Sequence, residues 1–175
     1  MCGIAGIVGD QELNIRSGSA AVRRMLSMIR HRGPDQFGVY QDTGASLGSA
    51  RLSIIDLSTG QQPISNEDGT LWIVYNGEIF NYLELRADLI QRGHRFSTHT
   101  DTEVLLHLYE EYGEDCLQRL NGQFAAAIWD AKRQRLFLAR DRMGIRPIFY
   151  TETNGRLLFA SEVKALLAGE GVSVE

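Results

Sequence analysis

Only two cysteines, Cys2 and Cys116, occur in the 175 residues. One long-range pair is not the dense framework of a small secreted domain, so a reducing compartment is expected. No apolar run approaches the roughly 18 residues that a membrane-spanning helix needs. The opening residues, MCGIAGIVGD, have no basic stretch of the kind that begins a secretory signal. Clusters of lysine and arginine are missing too. With 18 basic against 22 acidic residues the formal net charge is -4, which offers no electrostatic footprint for nucleic acid or an anionic membrane. These absences point to a cytoplasmic protein with neither partner. What is present, 43% hydrophobic and 23% charged residues, is the composition of an ordinary folded protein of one-domain size.

The small, β-branched stretch Cys2 to Val8 reads as a buried strand that starts at the terminus and ends at Gly9 and Asp10. Val22, Met25, Leu26 and Ile29 share one helix face between Ala21 and Ile29, a helix ending near His31. Short strands are expected around Val39, Leu47, Leu52 to Ile55, and Leu71 to Tyr75. Two further helices follow. Asn81 and Glu84 have capping-box spacing before Leu85 and Leu89, with Gly93 as the stop; Thr100 and Glu103 repeat the signal before Val104, Leu105, Leu108 and Tyr112, with Gly113 as the stop. Phe124 to Trp129, Leu136 to Arg140, Ile148 to Tyr150 and Leu157 to Ala160 suggest a late antiparallel meander, and Glu162 to Leu167 a short helix. The chain is therefore predicted to be one α+β domain over residues 1–168. Residues 169–175 form a small polar tail, either an end or the start of a connection.

Cys2 draws attention because removal of Met1 would place a thiol and an α-amine on one residue. The amine titrates at about 7.7–8.0 and a free thiol at about 8.5, so one can take the other's proton near neutral pH. The plain alternative is a small buried side chain, which is how Cys116, beside Leu117 and Leu120, is read. Asn76-Gly77 between apolar runs reads by itself as a tight hairpin turn. Its functional alternative is a side-chain amide and a backbone N–H converging on an oxyanion, with glycine letting backbone approach the substrate. Arg51, placed at the start of the Leu52 strand, has the fork geometry for a carboxylate. Asp101 stands in a helix first turn, where the helix dipole alone would favour it. The four together suit amide hydrolysis of a free amino acid. No pair among His31, His94, His99 and His107 has convincing metal-ligand spacing, so they are read as structural or surface groups and no metal is expected. Ser17-Gly18-Ser19 is read as a loop start.

The ordered set Cys2-Gly3-Ile4, His31-Arg32-Gly33-Pro34-Asp35, Arg51 to Asp56 (RLSIID), Asn76 to Asn81 (NGEIFN), Asp101-Thr102-Glu103, Arg140-Asp141, Gly144-Ile145-Arg146-Pro147 and Ala160-Ser161-Glu162 resembles the class II glutamine amidotransferase domain of glutamine-dependent asparagine synthetases, within the N-terminal-nucleophile hydrolases. The resemblance implies a four-layer αββα sandwich of two antiparallel sheets. It implies Cys2 as nucleophile, its α-amine as base, and Asn76 and Gly77 as oxyanion hole. It also implies a glutamine pocket in which Arg51 takes the carboxylate, Asp101 the ammonium, and Leu52, Ile54, Ile55 and Glu78 complete the wall. This domain would need no cofactor; ATP and magnesium belong to a synthetase domain, C-terminal or separate, whose Ser-Gly-Gly-x-Asp-Ser phosphate loop does not occur here. A homodimer is left open. Two other readings share these residues: a catalytically silent module that senses glutamine or docks a partner with Met1 retained, and a hydrolase for a peptide or lactam amide.

Overall fold

A computed structural model describes residues 1–9 and 15–173. Along the chain run β1 (Gly3–Gly9), α1 (Ile15–Met28), β2 (Gln36–Gln41), β3 (Ala45–Arg51), β4 (Ile64–Ser65), β5 (Leu71–Ile79), α2 (Tyr82–Gln91), α3 (Asp101–Tyr112), β6 (Gly122–Asp130), β7 (Arg135–Arg140), β8 (Phe149–Thr153), β9 (Arg156–Ala160) and α4 (Val163–Leu167). The strands form two antiparallel sheets, ordered β2-β3-β1-β9-β8 and β4-β5-β6-β7. Among the described residues no helix is long and apolar enough to cross a membrane.

Strand alternation sets the layers. Ile4 of β1 and Phe159 of β9 face one way, against Val74 of β5 and Ala125, Ala127 and Trp129 of β6, and this core lies between the sheets. Ala5 and Ile7 face the other way, against Val22, Met25 and Leu26 of α1 and Leu166 of α4. Each buried valine, leucine, isoleucine, methionine or phenylalanine among these contributes roughly 1.5–3 kcal/mol relative to exposure. On the far side of the second sheet, Ile73, Ala126 and Ile128 pack on Leu89 of α2 and Val104, Leu105 and Leu108 of α3. The result is the four-layer αββα sandwich.

Several local expectations are corrected. Leu52 to Ile55 is not a strand, and Arg51 ends β3 rather than opening one. The reason is pairing: β1 begins at Gly3 opposite Ala50, and β2 begins at Gln36 opposite Arg51, so residues beyond 51 have no neighbour to bond. Asn76-Gly77 is not a hairpin turn but lies inside β5, paired with Ala125 and Phe124. The late strands are not one meander. The β6-β7 hairpin belongs to the second sheet and the β8-β9 hairpin to the first, because the chain crosses between sheets after Arg140. Residues 17–19 lie within α1 rather than a loop. Asn81 does not cap α2, since its amide bridges instead to Arg119 O and Asn121 N at 3.0 Å each. Thr100 does cap α3, accepting from Glu103 N at 3.2 Å. The Glu103 carboxylate, however, is taken by Ser97 and Thr98 rather than reaching back. In the tail, Glu170 pairs with Arg24 and Gly171 O accepts from Thr153. Asp10 and residues 174–175 lie outside the described residues.

Candidate active site

A strand beginning at residue 3 would fray unless its first carbonyl were held. Cys2 O accepts from Arg32 Nε at 3.0 Å, and Arg32 Nη1 reaches Glu162 Oε1 at 3.0 Å. Ser161 brackets Ile4, its hydroxyl accepting from Ile4 N and its own N–H donating to Ile4 O, both at 2.9 Å. The run around Gly33 packs so tightly on the end of β3 that a Cβ there would lie 2.1 Å from Ala50 O. Asp35 continues the contact, donating its N–H to Arg51 O and accepting from Ser53 N. Two motifs more than a hundred residues apart thus position the second residue of the chain.

Cys2 opens into a pocket at this end of the sandwich that is also lined by Arg51, Leu52, Ile54, Ile55, Asn76, Gly77, Glu78 and Asp101. All nine candidate residues therefore meet in one cavity. Met1, Gln62, Tyr75, Thr100, Thr102 and Arg146 share the wall. The cavity volume is about 80 Å³, far below the range for drug-sized ligands. The Cys2 sulfur points to Leu52 O at 3.7 Å. Burial pushes its thiol up from the ordinary value, and the Leu52 contact, the chain's amino terminus and Arg51 only partly offset this. At neutral pH the group is a thiol that needs a base.

Asn76 is 1% exposed, and its Nδ2 has no hydrogen-bond partner among the described residues. A buried amide donor left this way costs stability unless something arrives to accept it. Gly77 supplies a second donor by strand geometry. Opposite it, Phe124 spends both backbone groups on Asp141, so Gly77 and Phe124 form a non-hydrogen-bonded pair and Gly77 N–H points away from β6. The amides on either side confirm the direction: Tyr75 N donates to Gln62 Oε1 at 2.7 Å and Ile79 N to Asp101 Oδ2 at 3.0 Å. Gly77 N–H lies between them on an edge that β4 no longer covers. A protein contact by itself demands glycine here, because a Cβ would lie 2.3 Å from Gln123 O and 2.6 Å from Phe124 Cα.

Arg51 is 4% exposed. Its Nη1 donates to Gln36 Oε1 at 2.7 Å and Ser53 Oγ at 3.2 Å, and its Nη2 to Ile55 O at 2.7 Å and Asp56 O at 2.8 Å. The guanidinium thus shapes the 52–56 loop with the four hydrogens of its fork. Asp101 Oδ2 also accepts from Tyr75 Oη at 3.0 Å. Burial raises its carboxyl above the usual range, with the Ile79, Tyr75 and Thr102 hydrogen bonds opposing. A bound cation would favour the ionised form.

Arg146 was visible in the sequence only as part of a motif without a role. The Asp141 carboxylate gathers the N–H groups of Phe124, Met143, Ile145 and Arg146 at 3.0–3.2 Å, and so carries Arg146 into the pocket wall. Its Nε is buried without a partner among the described residues, while its Nη1 touches Met1 Sδ. Gln62 had no local signal because its pairing with Tyr75 joins an irregular segment to a strand. Of the histidines, His31 pairs with Glu162 and His94 with Glu111, while His107 is fully buried. Cys116 is buried in the core, and burial pushes its thiol up to about 12.

A family model for the glutamine amidotransferase domain matches residues 1–175. The chain is 44% identical over 171 residues to an asparagine synthetase [glutamine-hydrolyzing] of Bacillus subtilis, covering 97% of this chain and 27% of the relative. It is 40% identical over 167 residues to the corresponding enzyme of Zea mays, covering 95% and 28%. It spans about a quarter of the length of these relatives. Among solved structures, glutamine phosphoribosylpyrophosphate amidotransferase from B. subtilis superposes with a TM-score of 0.74 at 25% identity, over 99% of this chain and 44% of that one. An allosteric regulatory enzyme of purine biosynthesis gives 0.77 at 23% identity and shares the fold.

Proposed function

The chain belongs to the glutamine amidotransferase domain family, and we propose that it hydrolyses L-glutamine to glutamate and ammonia through Cys2 once Met1 is removed. The observation that carries this reading is a pair of donors on residues lining the pocket that holds the Cys2 thiol: Asn76 Nδ2, without a partner among the described residues, and Gly77 N–H, turned away from β6. The α-amine of Cys2 takes the thiol proton, and the sulfur attacks the side-chain amide carbon of glutamine. The oxygen that gains charge is met by the two donors. Collapse returns the proton to the leaving nitrogen, releasing ammonia and leaving a thioester. Water, deprotonated by the same amine, then frees glutamate. Nucleophile and base both come from Cys2, so this half-reaction requires no cofactor.

Asp101 receives the substrate ammonium, and Glu78 lies at the same wall. Arg51 meets the carboxylate by exchanging its longest contact, that to Ser53. Residues 1–168 form the catalytic unit, and the tail leads toward a synthetase partner. In the intact protein, ammonia passes to an ATP- and magnesium-dependent synthetase domain, on the same chain or a separate one, for asparagine formation in the cytoplasm, with a homodimer as one arrangement. The test is ammonia release from glutamine by protein whose mass shows Met1 removed, compared with the Met1-retaining form and with Cys2→Ala. Release by the processed form alone is expected. Glutamine binding by protein that keeps Met1, with no release from the processed form either, would instead favour a silent sensor.

A further inference from the structure

Four candidate ligands converge far from Cys2 in sequence and outside its pocket. Glu67 comes from the turn between β4 and β5, His94 from the loop after α2, and His107 and Glu110 from one turn of α3. One ligand-type atom from each lies within 4.8 Å of all the others. The spacing that would have announced them in the sequence does not exist, because three separate segments supply them.

The proton positions follow from their neighbours. His94 Nε2 is 3.0 Å from Glu111 Oε1, and a carboxylate only accepts, so that nitrogen carries hydrogen and the neutral ring presents an Nδ1 lone pair. This lone pair faces Glu110 Oε2 at 3.7 Å and Glu67 Oε1 at 3.8 Å. His107 differs: its Nδ1 is in hydrogen-bond contact with Glu110 Oε2 at 3.3 Å and lies 3.7 Å from Glu67 Oε2, while its Nε2, 3.8 Å from Glu103 Oε1, is buried without a hydrogen-bond partner among the described residues. The carboxylates are oriented in turn, Glu110 Oε1 accepting from Asn66 Nδ2 at 3.1 Å and Glu67 Oε1 from Arg95 N at 2.8 Å. The His94 Nδ1 lone pair, the His107 Nδ1 and two carboxylates thus converge on a small gap that suits a cation.

We propose that Glu67, His94, His107 and Glu110 bind one divalent transition-metal ion of the zinc class, which staples the β4-β5 turn and the α2-α3 connection to α3. Bonds of about 2.0–2.1 Å from a tetrahedral ion set ligand–ligand edges of roughly 3.3–3.4 Å. The Nδ1 atoms of His94 and His107 lie 3.7 and 3.3 Å from the shared Glu110 Oε2, and His94 Nδ1 lies 3.8 Å from Glu67 Oε1; the full set, within 4.8 Å, reaches that spacing by side-chain contraction around an ion. Two imidazoles disfavour magnesium and calcium, which prefer oxygen. A carboxylate on the far nitrogen, as Glu111 is on that of His94, is the arrangement that fixes a ligating imidazole, and Glu103 stands 3.8 Å from that of His107. Glu67 and Glu110, 37% and 34% exposed, leave an entry path, while His107 at 0% forms the floor.

The competing occupant of the gap is a proton on each Nδ1, which supplies the same two positive charges. Zinc titration of the Cys2→Ala chain against a chromogenic chelator separates the two, the substitution keeping the pocket thiol out of the competition. One equivalent of zinc is expected, with a rise in Tm and, for cobalt in its place, the intense visible bands of a tetrahedral centre. His94→Gln and Glu110→Gln should each weaken zinc binding by at least roughly 10-fold, and the metal-free Tm of each variant shows that it folds. No zinc uptake, equal uptake by both folded variants, or the weak bands of octahedral cobalt would overturn the proposal.

Discussion

Replacing Asn76 with alanine should lower catalysis and leave stability unharmed, a combination that few buried polar residues give. Its Nδ2 is the only buried side-chain nitrogen of β5 without a partner among the described residues. If it is spent only on the developing oxyanion, its loss costs what a single such donor supplies, about 10²- to 10³-fold in kcat or roughly 2.7–4 kcal/mol. KM should stay within about three-fold, because the glutamine ground state gains little from the donor. The folded protein loses nothing it was using. An unsatisfied buried donor costs about 1–3 kcal/mol, and removing it offsets the packing lost from a side chain that borders an open pocket. The urea midpoint should therefore be unchanged or slightly higher. Steady-state ammonia release and urea unfolding on the same preparation measure both. A raised KM with unaltered kcat would make Asn76 a ground-state contact, and a stability loss above about 2 kcal/mol would make it structural; either result refutes the oxyanion role.

Gly77→Ala should act differently, since its Cβ meets β6 backbone at 2.3 Å. Separating two central strands costs about 1–3 kcal/mol, so thermal melting should fall by roughly 5 °C; an unchanged Tm would mean that β6 yields freely. For Glu162, burial would raise the carboxyl, but Arg32, Lys164 and His31 outweigh it and hold the group down at about 2 from an ordinary 4.5. A depressed folded value adds stability above about pH 4.5 that is lost as pH falls toward 2. Glu162→Gln should flatten acid unfolding in that window, and an identical acid limb in the variant would show that the clamp on Arg32 contributes nothing. Finally, a thiol pushed up by burial leaves the Cys2 amine as the group whose deprotonation limits attack. kcat/KM should climb with pH through about 7.7–8.0, whereas a flat profile from pH 6 to 9 would exclude the amine as base.

Much of the fold was legible because it is written in local periods. The helix face Val22-Met25-Leu26-Ile29 and the stop glycines Gly93 and Gly113, both at positive φ, lie where the spacing placed them. What local pattern could not show was partnership. Asn-Gly has strong turn chemistry, yet nine consecutive pairs with β6 carry it through a strand, a tertiary override of local preference. Leu52 to Ile55 has strand composition but no neighbour to pair with. The nine residues singled out do meet in one pocket, although Arg51 proves to hold a loop as well as line a cavity. Gln62 and Arg146 were silent because they are delivered by the Tyr75 amide and the Asp141 carboxylate, contacts that no sequence window contains.

The site also depends on a strand that stops early. β4 pairs with β5 only at Ile64 and Ser65, so the edge of β5 beyond Val74 is open, and an open edge is ordinarily an aggregation hazard. Here Gln62 and Asp101 take the amides of Tyr75 and Ile79, blocking the edge against another strand while leaving the amide between them unspent. Four more residues of β4 pairing, back to Gly60, would consume Gly77 N–H in a ladder, and the sheet would be more regular but unable to meet an oxyanion. The irregular segment 52–63, whose first residues Leu52 to Ile55 have the hydrophobic pattern of a strand, is thus the feature that keeps a reactive edge available. Its shape is held by the buried Arg51 fork, whose contacts to Ile55 O and Asp56 O tie the loop down beside the thiol.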